Sequence, residues 1–264
     1  MITKRMPVFI WLASIFFICA PITINAQDTQ LLWLVNPNCK LQSSNLPQNL
    51  TNINGYQIRK EAGDAFLNML KDMKADGITN MRMCSAYRPY QHQKVIFENK
   101  VKVLCGLGYD VEEARKLAAK TVATPGASEH QLGIAIDVTV TGQLNVHFGT
   151  TEAGVWLQNN SDRYGFIVRY PKEKTEITKI IYEPWHLRYV GIPHAAYMQE
   201  YNMCLEEYIA HVKESGIILY WVDAKSYYKI SYSKQKPEEE KEYSSIGIDE
   251  GAGYIVTEFK KVQK

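Results

Sequence analysis

The stretch ASEHQLGIAIDV, residues 127–138, decides the fold, because it places ionisable side chains in an otherwise apolar run. The segment 133–140 has the composition of a buried strand, which we expect to pack into a core. His130 precedes this strand and Asp137 lies within it. An unpaired buried carboxylate costs several kcal/mol, so Asp137 needs a basic partner, a hydrogen-bond network or a metal ion.

A second pair of ionisable residues, Glu183 and His186, occurs in the stretch YEPWHLRY. Two imidazoles and one carboxylate form a sufficient protein shell for catalytic zinc, which keeps a fourth position open for water. The remaining carboxylate is then available as a general base. Asp137 is short and rigidly placed, so it suits ligation, whereas Glu183 has the longer reach and is predicted to be the base. The predicted zinc ligands are His130, Asp137 and His186.

The spacing of Glu183 and His186 needs a bent strand. In a straight strand, residues three apart lie roughly 10 Å from each other and point to opposite faces. Pro184 cannot donate to the ladder, so it is predicted to bend the chain and let both side chains converge. Each residue alone is more often structural, a hydrogen-bonded histidine or an aspartate paired with arginine. Their joint occurrence favours the metal site.

The rest of the chain mixes helical and strand patterns without a regular βαβ alternation, which favours the α+β class. We predict a catalytic domain at 61–215, with a small antiparallel sheet and flanking helices around the zinc site. An N-terminal arm at 27–60 and a small β-rich C-terminal appendix at 216–264 surround it. Helices are predicted at 62–76, 90–104, 110–121, 152–162 and 193–212, and strands at 81–86, 133–140, 166–169 and 178–182.

The N-terminus resembles an export signal. Lys4 and Arg5 precede an uncharged apolar run at 6–20, the arrangement of a secretory signal peptide. Cleavage would remove residues 1–26; without cleavage, residues 6–24 are nearly long enough to anchor the chain in a membrane. Either outcome predicts an extracytoplasmic protein. The formal net charge of the whole chain is only +2, which gives no basis for a nucleic-acid partner.

Four cysteines lie outside the predicted signal. In an exported protein they allow two disulfides with three connectivities, and the sequence does not choose among these. None has the C-x-x-C spacing of a cysteine zinc site. These residues are Cys39, Cys84, Cys105 and Cys204.

Three separated motifs carry a family resemblance: SAYR at 85–88, SEHQLGIAID at 128–137 and EPWH at 183–186. In this order and spacing they resemble the VanY-type D-alanyl-D-alanine carboxypeptidases. These are zinc peptidases of the fold shared by lysostaphin-like, D-Ala-D-Ala and hedgehog domains. The resemblance covers about residues 80–191 and implies the same three zinc ligands and the same catalytic glutamate.

The resemblance also implies substrate contacts. Arg88 is expected to meet the substrate carbonyl or its carboxylate, because a fixed guanidinium stabilises a developing oxyanion; a structural ion pair is the alternative. Ser128 is expected to bind the terminal carboxylate or, alternatively, to cap the turn before His130. Tyr87 and Gln93 are further candidates on the substrate side.

The implied function is a zinc-dependent D-alanyl-D-alanine carboxypeptidase, with one Zn²⁺ per chain, that removes the terminal D-Ala from peptidoglycan stem peptides. An L,D-carboxypeptidase acting on tetrapeptide stems is the alternative within the class. The rival from another class is a non-catalytic, zinc-containing wall-binding module. Because a binding module needs no general base, the presence of Glu183 favours the enzyme.

Overall fold

The computed structural model describes residues 29–238, 241–247 and 252–262. The predicted signal peptide at 1–26 and the predicted anchor at 6–24 lie outside the described residues. Among the residues that are described, none of the helices has both the length and the apolar character that crossing a membrane requires.

Seven α-helices and ten β-strands follow one another irregularly in the described residues, which confirms the predicted α+β class. The helices are α1 (Lys60–Ala75), α2 (Tyr90–Gly106), α3 (Val111–Ala119), α4 (Glu152–Asn160), α5 (Thr175–Thr178), α6 (Ile192–Glu200) and α7 (Leu205–Ser215). The strands are β1 (Leu50–Ile53), β2 (Tyr56–Arg59), β3 (Arg82–Ser85), β4 (Ala135–Thr139), β5 (Phe166–Tyr170), β6 (Glu183–Tyr189), β7 (Ile217–Asp223), β8 (Ser226–Ser233), β9 (Tyr243–Ser245) and β10 (Tyr254–Lys261).

The central sheet has the strand order β3-β4-β6-β5, and its neighbouring strands are antiparallel. Every residue of β4 is buried. Ile136 and Val138 join the main hydrophobic core together with Phe66 of α1. Because side chains alternate along a strand, Asp137 points to the opposite face of the sheet. One face of β4 therefore builds the core and the other carries the ionisable group.

Strand β6 contains a bulge where the sequence predicts a bend. Val168 pairs with Leu187 but Tyr170 pairs with Glu183, so β6 holds two more residues than β5 between these pairs. Pro184 lies in this excess segment, where its missing N–H costs no ladder bond. The two extra residues bring the side chains of Glu183 and His186 to one cavity. The structure thus achieves convergence by a bulge.

The described part of the predicted N-terminal arm at 27–60 contains regular structure and buried side chains. Leu32 and Trp33 are buried, and β1 and β2 form an antiparallel hairpin. Asn54 and Gly55 connect the two strands with φ of 53° and 91°, the conformation of a tight hairpin turn. The apolar residues of this segment pack into the same hydrophobic cores as residues of the central sheet.

The predicted strand at 178–182 is wrong. Helix α5 ends at Thr178, and Lys179 follows in the left-handed region with φ of 61°. That conformation turns the chain sharply, so the apolar, β-branched residues after it do not continue a strand. The strand begins instead at Glu183.

The C-terminal region forms the predicted strands, as a sheet of order β7-β8-β10-β9. Ile218, Ile230 and Ile255 lie in one hydrophobic core with Tyr208 and Val212 of α7. The same core includes residues of β5 and of the N-terminal segment. The C-terminal sheet therefore packs against the region of the central sheet through a shared core.

The cysteines are not bridged. Cys39 is exposed, Cys84 and Cys105 are half-buried, and Cys204 is buried, and all four are free thiols. The sequence predicts no particular disulfide pairing, so the structure contradicts none.

Candidate active site

Three predicted ligands meet on the face of the sheet opposite the main core. Asp137 of β4 and His186 of β6 are direct register partners. His130 arrives from the 3₁₀ helix Glu129–Leu132, which ends at Gly133 in the left-handed region with φ of 70°. One ligand atom from each of the three side chains lies within 4.8 Å of the other two, and all three residues are buried.

Two distances between donor atoms are close to those of a zinc site. His130 Nε2 lies 3.2 Å from Asp137 Oδ2, and His186 Nδ1 lies 3.1 Å from Asp137 Oδ1. Tetrahedral ligands with bonds of 2.0–2.2 Å are separated by about 3.3 Å. Two imidazoles and one carboxylate are also a donor set that zinc prefers. The donor chemistry therefore suits Zn²⁺, and the three side chains lie close enough together to converge on one ion.

The orientation of His130 is fixed from behind. Its Nδ1 lies 2.7 Å from the backbone carbonyl of Ala86. A carbonyl only accepts, so Nδ1 carries the proton and donates it. Nε2 is left with a free lone pair that faces Asp137. Burial lowers the pKa of His130, which favours this neutral, ligating form.

The charges of the site attract a cation. Burial opposes ionisation of Asp137, but His130 and His186 outweigh it and hold the pKa of Asp137 well below its usual range. Burial likewise opposes protonation of His186, yet the nearby carboxylates of Asp137 and Glu129 raise its pKa to about 9. The pocket therefore stabilises positive charge at His186, and a metal cation would replace that proton on binding.

Glu183 is placed beside the three ligands rather than among them. Its Oε2 lies 3.9 Å from His186 Nδ1, and its side chain is 16% exposed, so the carboxylate borders the open side of the site. Burial raises the pKa of Glu183 to about 7, while His186 and Arg88 lower it and Asp137 raises it further. A cation bound beside it would favour the charged form and lower this pKa.

Arg88 is held in one orientation by the protein. Its Nη1 donates to Gln93 Oε1 at 2.7 Å, and its Nη2 donates to Ser85 Oγ at 2.9 Å. The same Nη2 lies 3.6 Å from Asp137 Oδ2, next to the predicted metal ligands. Gln93 in turn donates to the Ala123 carbonyl at 2.6 Å. Both polar atoms of Gln93 thus have protein partners, which favours a role in holding Arg88 over a direct substrate contact.

The site opens into a cavity of about 410 Å³. Arg88, Gln93 and Ser128 line it. The Ser128 side chain makes no capping hydrogen bond to the following helix, so the capping alternative is not realised. Tyr87 is not among the described residues that line the cavity. Its contact with substrate stays a prediction, without support from its position.

Several lining residues are not predicted as site residues. The ring of Tyr170 lies 5.0 Å from the ring of His186, and Trp185 forms part of the wall. Glu129 also borders the cavity and is ion-paired to Arg169 and Arg188. The sequence holds one signal that could have identified Glu129 as a site residue. Glu129 directly precedes the predicted ligand His130 in a buried segment, and a buried charge needs partners.

Fold and site together define a class of protein: an α+β chain in which two antiparallel strands and a neighbouring 3₁₀ helix bring together a His, Asp and His group that could hold one metal ion. A family model described as VanY, D-alanyl-D-alanine carboxypeptidase, matches residues 55–192. The chain belongs to this VanY family.

Two curated relatives are similar to this chain. A putative carboxypeptidase, YodJ, of Bacillus subtilis (strain 168) is 45% identical over 160 residues, which are 60% of this chain and 55% of the relative. A D-alanyl-D-alanine carboxypeptidase of Enterococcus faecium is 32% identical over 210 residues, which are 74% of this chain and 63% of the relative. The matched region spans less than two thirds of either relative.

Two solved structures share the fold. A mutant of the vancomycin resistance D,D-pentapeptidase VanY, in complex with Zn(II), matches with a TM-score of 0.60 and 37% identity, over 68% of this chain and 99% of that one. The LdcB LD-carboxypeptidase, whose structure is described as revealing the basis of peptidoglycan recognition, matches with a TM-score of 0.62 and 36% identity. That match covers 72% of this chain and 99% of LdcB.

Proposed function

We propose that the protein is an extracytoplasmic, zinc-dependent D-alanyl-D-alanine carboxypeptidase that removes the terminal D-Ala from peptidoglycan stem peptides. The observation that carries the proposal is the convergence of three ligand atoms within 4.8 Å, with Glu183 beside them. Family membership and a relative crystallised with Zn(II) support it. The export pattern of residues 1–26 supports the location.

His130, Asp137 and His186 would hold the zinc ion, which when bound supplies Lewis-acid activation of water and of the scissile carbonyl. Glu183 accepts a proton from the attacking water as the water oxygen bonds to the carbonyl carbon. When the C–N bond breaks, Glu183 returns that proton to the leaving amine. The products are free D-Ala and a peptide shortened by one residue.

The remaining cavity residues position the substrate. The Arg88 guanidinium, fixed by Gln93 and Ser85, donates to the oxygen that becomes negative in the transition state. The Ser128 hydroxyl donates to the terminal carboxylate. Leu144, Ile180 and Ile181 add apolar lining that suits the methyl groups of alanine.

Purified protein incubated with pentapeptide and tetrapeptide stems tests the reaction. We expect the pentapeptide to lose one alanine and the tetrapeptide to remain intact, with both products weighed by mass spectrometry. The likeness to LdcB makes L,D activity the second candidate, and cleavage of the tetrapeptide alone would establish it in place of the proposed one. A protein that binds stems and cleaves neither would be a wall-binding module.

Metal content tests the ligands. We expect one zinc ion per chain, because two histidines and one aspartate leave an open position. His130→Ala and His186→Ala should each lose the metal, as measured by elemental analysis of the dialysed protein. His147→Ala is the matched control, because His147 is an exposed histidine outside the cavity. Stoichiometric zinc in both site variants would overturn the ligand assignment.

A further inference from the structure

A buried group of charges lies directly behind His186. Glu129 is 1% exposed. Its Oε1 accepts a hydrogen bond from Arg169 Nε at 2.7 Å and lies 2.7 Å from Arg188 Nη1. Its Oε2 points the other way and lies 3.6 Å from His186 Nε2. The two oxygens of one carboxylate therefore face two arginines on one side and a predicted metal ligand on the other.

Among the described residues, three polar atoms in this group lack a hydrogen-bond partner, and one of them, Arg188 Nη1, is ion-paired to Glu129 Oε1. Within the described part of the chain, neither Glu129 Oε2 nor His186 Nε2 has a hydrogen-bond partner, although both are buried. Buried groups of this kind are rare in native proteins and require an explanation. The two atoms face each other, and a shift of under 1 Å would bring them to the usual N–H···O distance of about 2.9 Å.

The other ring nitrogen of His186, Nδ1, explains why Nε2 needs an acceptor such as Glu129. Nδ1 faces the shared ligand space, 3.1 Å from Asp137 Oδ1. If Nδ1 ligates the metal, the ring proton must reside on Nε2, where it needs a buried acceptor. Metal-bound histidines regularly donate their second N–H to a carboxylate or a backbone carbonyl, which fixes the ring and its tautomer. His130 already has such an acceptor in the Ala86 carbonyl.

We propose that Glu129 is a positioning residue that accepts the Nε2–H of His186 and thereby holds His186 in the tautomer that presents Nδ1 to the metal. This inference rests on the proposed function, since it presupposes the zinc site. The carboxylate also raises the basicity of the imidazole it accepts from. The two ligand histidines then differ in kind: His130 is held by a neutral acceptor and His186 by a charged one.

The surroundings keep Glu129 in place for this role. Arg169 makes a two-point contact with Glu206 of α7, at 2.9 and 2.7 Å. Arg188 donates through Nη2 to the carbonyls of the N-terminal segment. Both guanidinium groups are thus anchored from behind, and their charge keeps the pKa of Glu129 low against the effect of burial. With Oε1 engaged by the arginines, Oε2 remains for His186.

Zinc affinity tests the proposal without reference to catalysis. Glu129→Asp keeps a negative charge for the two arginines but withdraws the carboxylate from His186, and Glu129→Gln removes the charge. We expect both variants to bind zinc about 10–100-fold more weakly than the parent in competition with a chromophoric chelator. Glu206→Gln is the matched control, because it weakens the pairing of Arg169 and leaves the contact with His186 in place. It should lower the unfolding midpoint but not the zinc affinity.

The imidazole tautomer gives a second, independent readout on the parent protein. Two-bond ¹H–¹⁵N correlation spectra of the zinc-loaded protein should show His186 protonated at Nε2 and metal-bound at Nδ1. The opposite tautomer in the parent protein would overturn the proposal, and this result does not depend on whether Glu129→Gln folds. Parental zinc affinity in both Glu129 variants would overturn it as well. A parent that binds no zinc would instead sink the proposed function, so the two failures are distinguishable.

Discussion

Replacing Glu183 by glutamine will leave the zinc content unchanged and lower kcat on pentapeptide stems by about 10²–10⁴-fold. The amide has nearly the same shape as the carboxylate but cannot take a proton from water. Glu183 is not among the three converging ligand atoms, so the metal should stay. Steady-state kinetics and elemental analysis of the same preparation measure both effects.

Two further variants serve as comparisons for Glu183→Gln. Glu176→Gln makes the same chemical change on a side chain that is 96% exposed, and it should behave like the parent. Asp137→Asn should instead weaken zinc binding itself, because it removes a ligand charge. A Glu183→Gln protein that cleaves stem peptide at the parental rate would show that Glu183 is not the base.

Replacing Arg88 by alanine will lower kcat and kcat/KM together by roughly a hundredfold, a cost of about 3 kcal/mol in transition-state stabilisation. The reason is that Gln93 and Ser85 fix the guanidinium before substrate binds, so its hydrogen bonds strengthen where negative charge develops. Lysine should rescue poorly, because a single ammonium cannot hold both partners and also reach the oxyanion. Kinetics on pentapeptide stems measure the split between kcat and KM.

Arg82→Ala is the matched control, since Arg82 is an exposed arginine on β3 that does not line the cavity. It should leave both kinetic constants unchanged. A rise in KM with an unchanged kcat in Arg88→Ala would show that Arg88 binds the terminal carboxylate of the substrate and does not stabilise the oxyanion. If both constants stay at parental values while zinc is bound, Arg88 belongs to the scaffold alone.

The convergence of His130, Asp137 and His186 could be predicted because the chemistry of the side chains restricts it. Asp137 stands in a buried strand and requires a partner, and few partners are available in the motifs that resemble the family. The convergence of Glu183 with His186 could also be foreseen from Pro184. The bulge that produces this convergence could not be predicted. A bulge is defined by the register between β6 and β5, and the register of strands distant in sequence is not encoded in either strand alone.

The N-terminal hairpin was predictable and is missing from the sequence-based prediction. Asn54-Gly55 between two short apolar segments is a strong local signal for a hairpin turn. The buried partners of Glu129 are a different case. Arg169 and Arg188 come from two other strands, so their contact depends on the assembled sheet and only the need for some partner can be inferred.

The N-terminal segment sets where a working fragment of this protein must begin. The carbonyls of Leu31 and Trp33 accept from Arg188, and Leu34 hydrogen-bonds to Ile246 of the C-terminal region at 2.9 Å. A shortened gene product that starts at residue 61 would lose both acceptors and leave a buried guanidinium without them, which is strongly destabilising. A shortened form of the protein for expression or crystallisation should therefore retain the residues from Thr29 onward.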